Sequence, residues 1–275
     1  MLYFPPMETP LVFATQLAQR IGKLLLEYYG EATFQTSLKP DRTVVTEVDL
    51  IADRLIAQSI HERFPEDVLI SEELQPAYAA QSRIAARANG AEPAVWVVDP
   101  IDGTTNFSLG LHYWGVLIAR LVNGWPETGV MYFPLIDELY TAQRGDGAFF
   151  NGKRLQVRPP TPDQTATFFS CCSRTHRRYR VSVPYKTRIL GSAGYSMCCV
   201  ACGVALLSFE ATPKVWDIAA GWLLVNEAGG TVETLDGSQP FPLQPGIEYA
   251  SQSYPTLSAA TPEIAARARL QIVLK

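Results

Sequence analysis

Residues 94–107 read AVWVVDPIDGTTNF, with Asp99 and Asp102 three positions apart where an apolar strand should end. Val95, Trp96, Val97 and Val98 have the β-branched and aromatic character of a buried strand. Pro100 has no N–H to give a ladder and fixes a turn, and Gly103 permits close backbone approach. Two carboxylates therefore project from one stiff corner. Just after them, the hydroxyls of Thr104 and Thr105 and the N–H groups of a helix start are placed to meet an anion. Carboxylates alone would repel a phosphate. A divalent cation between them removes the conflict, and hard oxygen donors favour magnesium over metals that prefer softer ligands.

Further segments share this polar, small-residue character: Trp216, Asp217, Ile218, Ala219, Ala220 and Gly221, then Glu227, Ala228, Gly229 and Gly230. Ser71, Glu72 and Glu73 precede the aspartate corner, Thr46 stands three residues before Asp49, and Gly191, Ser192 and Ala193 form a small-residue turn. Read singly, each has a plain structural use. Thr46 and Asp49 make a capping box, Asp217 is an acid that suits a helix start, Glu72 and Glu73 are a solvated pair, and residues 191–193 join a strand to a helix.

Taken together, these segments resemble the inositol monophosphatase family over about residues 43–237. The D-P-I-D-G-T segment is intact from Asp99 to Thr104, as are W-D-x-A-A-G, E-A-G-G, T-x-x-D and G-S-A, while Ser71 replaces the glycine of G-E-E. The resemblance implies an α/β fold, a layered α-β-α-β-α sandwich of the inositol monophosphatase and sugar phosphatase type. A first half, residues 1–155, would carry most metal ligands, and a second, residues 156–275, would complete the metal and substrate site.

It also implies a magnesium-dependent phosphate monoester hydrolase with two or three Mg2+ ions. Glu72, Asp99 and the Ile101 carbonyl would hold one ion, and Asp99, Asp102 and Asp217 another. Thr104, supported by Asp49, would orient the attacking water, with Glu72 assisting its deprotonation. Asp102, Gly103, Thr104, Thr105, Gly191, Ser192, Ala193, Glu210 and Asp217 would line the substrate. Inositol monophosphate is the leading substrate; 3′-phosphoadenosine 5′-phosphate, fructose 1,6-bisphosphate and histidinol phosphate are the alternatives. Lithium inhibition and a homodimer are implied as well, although no stretch of sequence marks an interface. A silent phosphoinositol sensor is the non-enzymatic reading, against which stands the survival of every expected carboxylate.

Composition narrows the partners. A formal net charge of −4 without a polybasic footprint disfavours nucleic acid and leaves small phosphorylated polyols, sugars or nucleotides. Residues 1–10 lack the basic start and apolar core of a secretory signal, which predicts a cytoplasmic protein. The five cysteines are odd in number and clustered, so reduced thiols are expected, with the C-x-x-C of Cys199 and Cys202 buried in a helix. Residues 189–209 carry no charge, yet glycines and serines punctuate them, which argues against a membrane span. Arg174, His176, Arg177, Arg178 and Arg180 form the one basic run, read as an exposed loop or as a clamp for a second anionic group. The segment between Cys172 and Gly191 is short for the family, which bears on the pocket it helps to shape.

Apolar spacing predicts helices over residues 8–29 and 48–64, the first ending at Gly30. Residues 75–93 read as a helix or a loop. Strands are expected at 114–121, 127–133, 138–144, 148–150, 166–170, 188–190 and 205–209, and helices at 195–202 and 215–227.

Overall fold

The computed structural model describes residues 8–30, 36–38, 44–73, 93–158 and 167–275. Helix α1 (Pro10–Tyr28) starts where Thr9 accepts the Val12 N–H and Pro10 occupies the first turn. Its stripe of Ala14, Leu17, Ala18, Ile21 and Leu25 is buried. Strands β1 (Thr36–Leu38) and β2 (Val44–Thr46) pair antiparallel and lead into α2 (Glu47–Arg63), capped by Thr46. Residues 75–92 of the alanine-rich stretch lie outside the described residues.

Strand β3 (Val68–Ser71) pairs parallel with β4 (Val95–Asp102), so Ser71 sits opposite Val98. A short helix, α3 (Thr104–Ser108), follows the aspartate corner. An antiparallel meander then runs through β5 (Gly115–Val122), β6 (Trp125–Phe133), β7 (Glu138–Gln143), β8 (Gly147–Phe150) and β9 (Lys153–Leu155), completing a seven-stranded sheet in the order β3 to β9. Alternation sorts its two faces. Trp96, Val98, Val116, Ile118, Val130 and Tyr132 pack under α1 and α2, whereas Val95, Val97, Leu117, Ala119, Met131 and Phe133 face the other way.

The second sheet is built from β10 (Phe168–Cys171), followed by α4 (Thr175–Arg178), β11 (Tyr179–Val181) and β12 (Lys186–Arg188). Helix α5 (Ala193–Ala201), strand β13 (Ala205–Glu210), helix α6 (Val215–Glu227), strands β14 (Thr231–Thr234) and β15 (Thr256–Ala259), helix α7 (Pro262–Gln271) and β16 (Ile272–Leu274) complete the chain. The five-stranded order is β12-β10-β13-β15-β14, mixed in direction. Helices α5 and α6 lie between the sheets, burying Met197, Val200, Ile218 and Leu224 against the first, while Ile264, Ala265 and Ala268 of α7 close the outer face of the second. The layers are therefore α-β-α-β-α, as the resemblance implied.

Two expectations change in detail. Strand β4 does not stop before Pro100 but continues to Asp102 through a shift in pairing. Strands β3, β14 and β15 and helix α7 were not legible in the apolar spacing, and the strand expected at 188–190 sits at Lys186–Arg188 instead. The uncharged stretch 189–209 is a loop, α5 and most of β13, and among the described residues no helix is long and apolar enough to cross a membrane. All five cysteines are free. Burial pushes the Cys199 thiol up to about 12, so the C-x-x-C packs as a neutral part of the core.

Candidate functional site

The β4 irregularity makes the aspartate corner. Asp99 sits opposite Leu117 and Asp102 opposite Gly115, so two residues of β4 span what one residue of β5 spans. In a regular strand an odd spacing of three puts side chains on opposite faces; one inserted residue brings them to the same side. The Ile101 N–H donates to Asp99 Oδ1 at 3.0 Å and stiffens the turn. Gly103 follows with φ 89°, where an added Cβ would stand 2.8 Å from the Tyr113 carbonyl oxygen.

Asp217 enters from the first turn of α6, where its Oδ2 accepts the Lys214 N–H at 2.5 Å. One carboxylate oxygen from each of Asp99, Asp102 and Asp217 lies within 4.8 Å of the others. Glu72, just past the end of β3, stands outside that trio but shares a hydrogen bond with Asp99. Its backbone N–H pairs with the Val98 carbonyl at 3.2 Å, which carries the β3–β4 ladder one residue further.

The electrostatics follow from this crowding. Burial, reinforced by Glu72, Asp102 and Asp217, holds the Asp99 carboxyl well above the usual carboxylate range. Burial also lifts Asp217 to about 8, with Glu72 and Asp102 adding to the shift. Asp102 rises only to about 6, because the Ser192 hydroxyl and the Ala193 and Gly194 N–H groups oppose the desolvation. Such a group of like charges ionises together at neutral pH only if a cation joins it. An all-oxygen, acid-rich donor set suits a hard divalent ion.

Asp49 combines both of its expected contacts. Its Oδ2 accepts from the Thr46 N–H at 2.8 Å and from the Thr46 hydroxyl, while Oδ1 accepts from the Thr104 hydroxyl at 3.3 Å. Thr104 also donates to the Ile101 carbonyl at 3.0 Å. Thr105 is exposed beside it.

Residues 191–193 lie against the corner, but their polar groups are turned on Asp102. The Ser192 hydroxyl donates to Oδ2, Ala193 N–H to Oδ1 at 3.0 Å and Gly194 N–H to Oδ2 at 2.8 Å. Asn106 pins the preceding loop by donating from Nδ2 to the Leu190 and Tyr113 carbonyls. Asn106 and Gly194 were missed by sequence reading. The signal for Asn106 was a polar side chain at a position of α3 that is buried next to Phe107.

Glu210, at the end of β13, is buried and stands apart from the acidic trio. Burial raises it to about 8, against hydrogen bonds from Ser196 and Cys172. With Asp217, Ala193, Cys172, Arg174 and Thr212 it lines a cavity of about 210 Å³. The basic run divides here. Arg177, Arg178 and Arg180 are exposed, whereas Arg174 is half-buried and donates to Thr212 Oγ1 at 3.1 Å. On the other flank, Glu72, Glu73, Trp216, Glu248 and Tyr249 border a cavity of about 460 Å³.

Known proteins resemble the chain over most of its length. The family model described as the inositol monophosphatase family matches residues 7–269. A histidinol-phosphatase of Chlorobaculum parvum is 35% identical over 244 residues, covering 85% of this chain and 88% of its own. A fructose-1,6-bisphosphatase/inositol-1-monophosphatase of Thermotoga maritima is 31% identical, covering 83% of this chain and 86% of its own. Among solved structures, the extragenic suppressor protein suhB of Bartonella henselae superimposes with a TM-score of 0.76 at 28% identity, over 94% of this chain and 96% of that one.

Proposed function

The chain belongs to the inositol monophosphatase family, a family of phosphoric monoester hydrolases, and we propose that it hydrolyses a small phosphate monoester with magnesium. The observation that carries this reading is the trio of Asp99, Asp102 and Asp217 within 4.8 Å, flanked by Glu72 and by the Asp49–Thr104 pair. Glu72, Asp99, Asp102, Asp217 and the Ile101 carbonyl would hold the ions. Bound magnesium would lower the pKa of a water and neutralise charge on the phosphoryl oxygens.

The chain's own groups divide the remaining work. Thr104 has one hydroxyl proton, and both of its partners, Asp49 Oδ1 and the Ile101 carbonyl, are acceptors. Its oxygen lone pairs are thereby left to accept from the attacking water, which fixes that water's direction. Glu72 takes the proton that the water loses. Asp102 cannot swing, since three donors from residues 192–194 hold both of its oxygens. The backbone from Gly103 to Thr105 faces the phosphate; as the water oxygen bonds to phosphorus the ester P–O bond breaks, and the alkoxide, in the cavity of Glu210 whose carboxyl engages a neighbouring hydroxyl, takes a proton from solvent to leave as the alcohol.

Inositol monophosphate, a ring rich in hydroxyls, is the substrate proposed first. Histidinol phosphate is the second reading, favoured by the 35% identity to a histidinol-phosphatase; its cationic leaving group would lie on the flank opposite Glu210, against the acidic and aromatic wall of Glu72, Glu73, Glu248, Trp216 and Tyr249. The test is phosphate release from inositol monophosphates, histidinol phosphate, fructose 1,6-bisphosphate and 3′-phosphoadenosine 5′-phosphate, with magnesium and with chelator. Magnesium-dependent turnover of one of the first two, inhibited by lithium, is expected; preference for the adenosine compound would overturn the substrate, and no turnover of any would overturn the reaction.

A further inference from the structure

Ser71 is the residue that departs from the G-E-E pattern, and its side chain is used. Its hydroxyl donates to Oδ1 of Asp53 on α2. Both groups are buried, Asp53 at 1% exposure and Ser71 at 5%. A carboxylate so placed costs desolvation free energy, and the proposed chemistry gives it no part. A glycine at position 71 would offer Asp53 no hydroxyl.

The two elements joined by this bond carry opposite sides of the site. Asp53 lies one helical turn after Asp49, on the same buried face of α2, and Asp49 holds Thr104. Ser71 is the last residue of β3, opposite Val98, so it immediately precedes Glu72 just as Val98 precedes Asp99. Just beyond Ser71 the Glu72 N–H meets the Val98 carbonyl at 3.2 Å, so the strand end that carries Glu72 continues directly from the tied residue. A side-chain tie at position 71 therefore limits how far the strand end can lift or rotate away from α2.

We propose that the Asp53–Ser71 pair is a positioning device, setting Glu72 against the Asp49–Thr104 pair and thereby raising the affinity of the Glu72 side of the site for a divalent cation. The inference rests on the phosphatase reading above. Neither residue touches the reacting atoms; both act through Glu72.

The test uses the full chain and Mn2+ as the probe, with binding measured by calorimetry without substrate and the magnesium activation constant measured separately from kcat. Ser71→Ala is expected to weaken Mn2+ binding about tenfold and to raise the magnesium requirement to match, with kcat at saturating magnesium falling by a smaller factor because Glu72 also takes the water's proton. Ser71→Thr keeps the hydroxyl and should restore binding. Asp53→Ala combined with Ser71→Ala should lose less than the sum of the two single losses, as expected of a shared interaction. Unchanged Mn2+ affinity in Ser71→Ala, or strictly additive losses in the double variant, would overturn the assignment. If Ser71→Ala does not fold, Asp53→Ala, which removes the acceptor, decides: parent-like Mn2+ affinity overturns the pair and a clear loss supports it. A parent protein that neither binds Mn2+ nor releases phosphate would instead overturn the phosphatase reading and the pair with it.

Discussion

The strand corner and the helix start meet at the same acidic centre, yet they hold their carboxylates by different means. Asp102 is gripped by one hydroxyl and two backbone N–H groups, whereas the direct backbone donor to Asp217 is the Lys214 N–H. Asp102 is buried and Asp217 half-buried, and both feel Glu72, but Asp102 is raised to about 6 and Asp217 to about 8. Burial alone does not set the charge state here; the number of donors aimed at each carboxylate does. Asp102 therefore ionises more readily than Asp217 at the helix start, while its corner neighbour Asp99 is held well above the usual carboxylate range.

The sharpest way to break this contrast is Asp102→Asn, which removes a metal ligand and sets an amide against two backbone donors. A kcat loss of at least about 10³-fold is expected in phosphate-release assays. Thr104→Ala takes away the oriented oxygen but leaves every carboxylate, and kcat should fall about 10²-fold while Mn2+ still binds. Should Thr104→Ala also lose the metal, the separation of water positioning from metal holding would be wrong.

Ser192→Ala sharpens the comparison by moving the corner toward the helix start's condition, with one donor fewer. Magnesium affinity should drop about tenfold, and activity should return at high magnesium. The smallest effect is one of stability. Both carboxyls bind their protons more tightly folded than unfolded, where an aspartate titrates near about 3.9. Their stabilising contribution is thus fully present below about pH 4 and lost as pH climbs through about 6 for Asp102 and about 8 for Asp217. The metal-free protein should melt lower at pH 8 than at pH 5, and magnesium should raise the melting temperature more at pH 8. A flat metal-free profile would contradict the crowding described for these groups.

What the sequence disclosed follows a physical line. The D-P-I-D-G-T corner, α1, α2 and α6 were legible because their signals are local: a proline, a glycine and apolar periodicity. The three-residue spacing of Asp99 and Asp102 was legible too, but the inserted residue that turns them to one side depends on pairing with β5, which no local pattern records. Strand β3 escaped notice because three apolar residues and a serine after a turn carry too little periodicity and find their partner across residues 72–94. The use of Ser192, Ala193 and Gly194 was hidden for the same reason, since their acceptor lies about ninety positions earlier and the turn reads equally well as a pocket lining. Arg174 sits in a run with three exposed arginines, from which its partial burial and its bond to Thr212 separate it.

The dependence of Asp102 on residues 192–194 sets an order in time. As the chain leaves the ribosome, the aspartate corner is made early, while its three donors follow some ninety residues later and Asp217 later still. Until then the Val95, Val97, Leu117 and Met131 face of the first sheet also lacks the α5 and α6 side chains that cover it. Birth of the acidic centre and closure of the interior are therefore one late event in synthesis, and a nascent chain stalled before α6 would expose a greasy sheet face and lack Asp217.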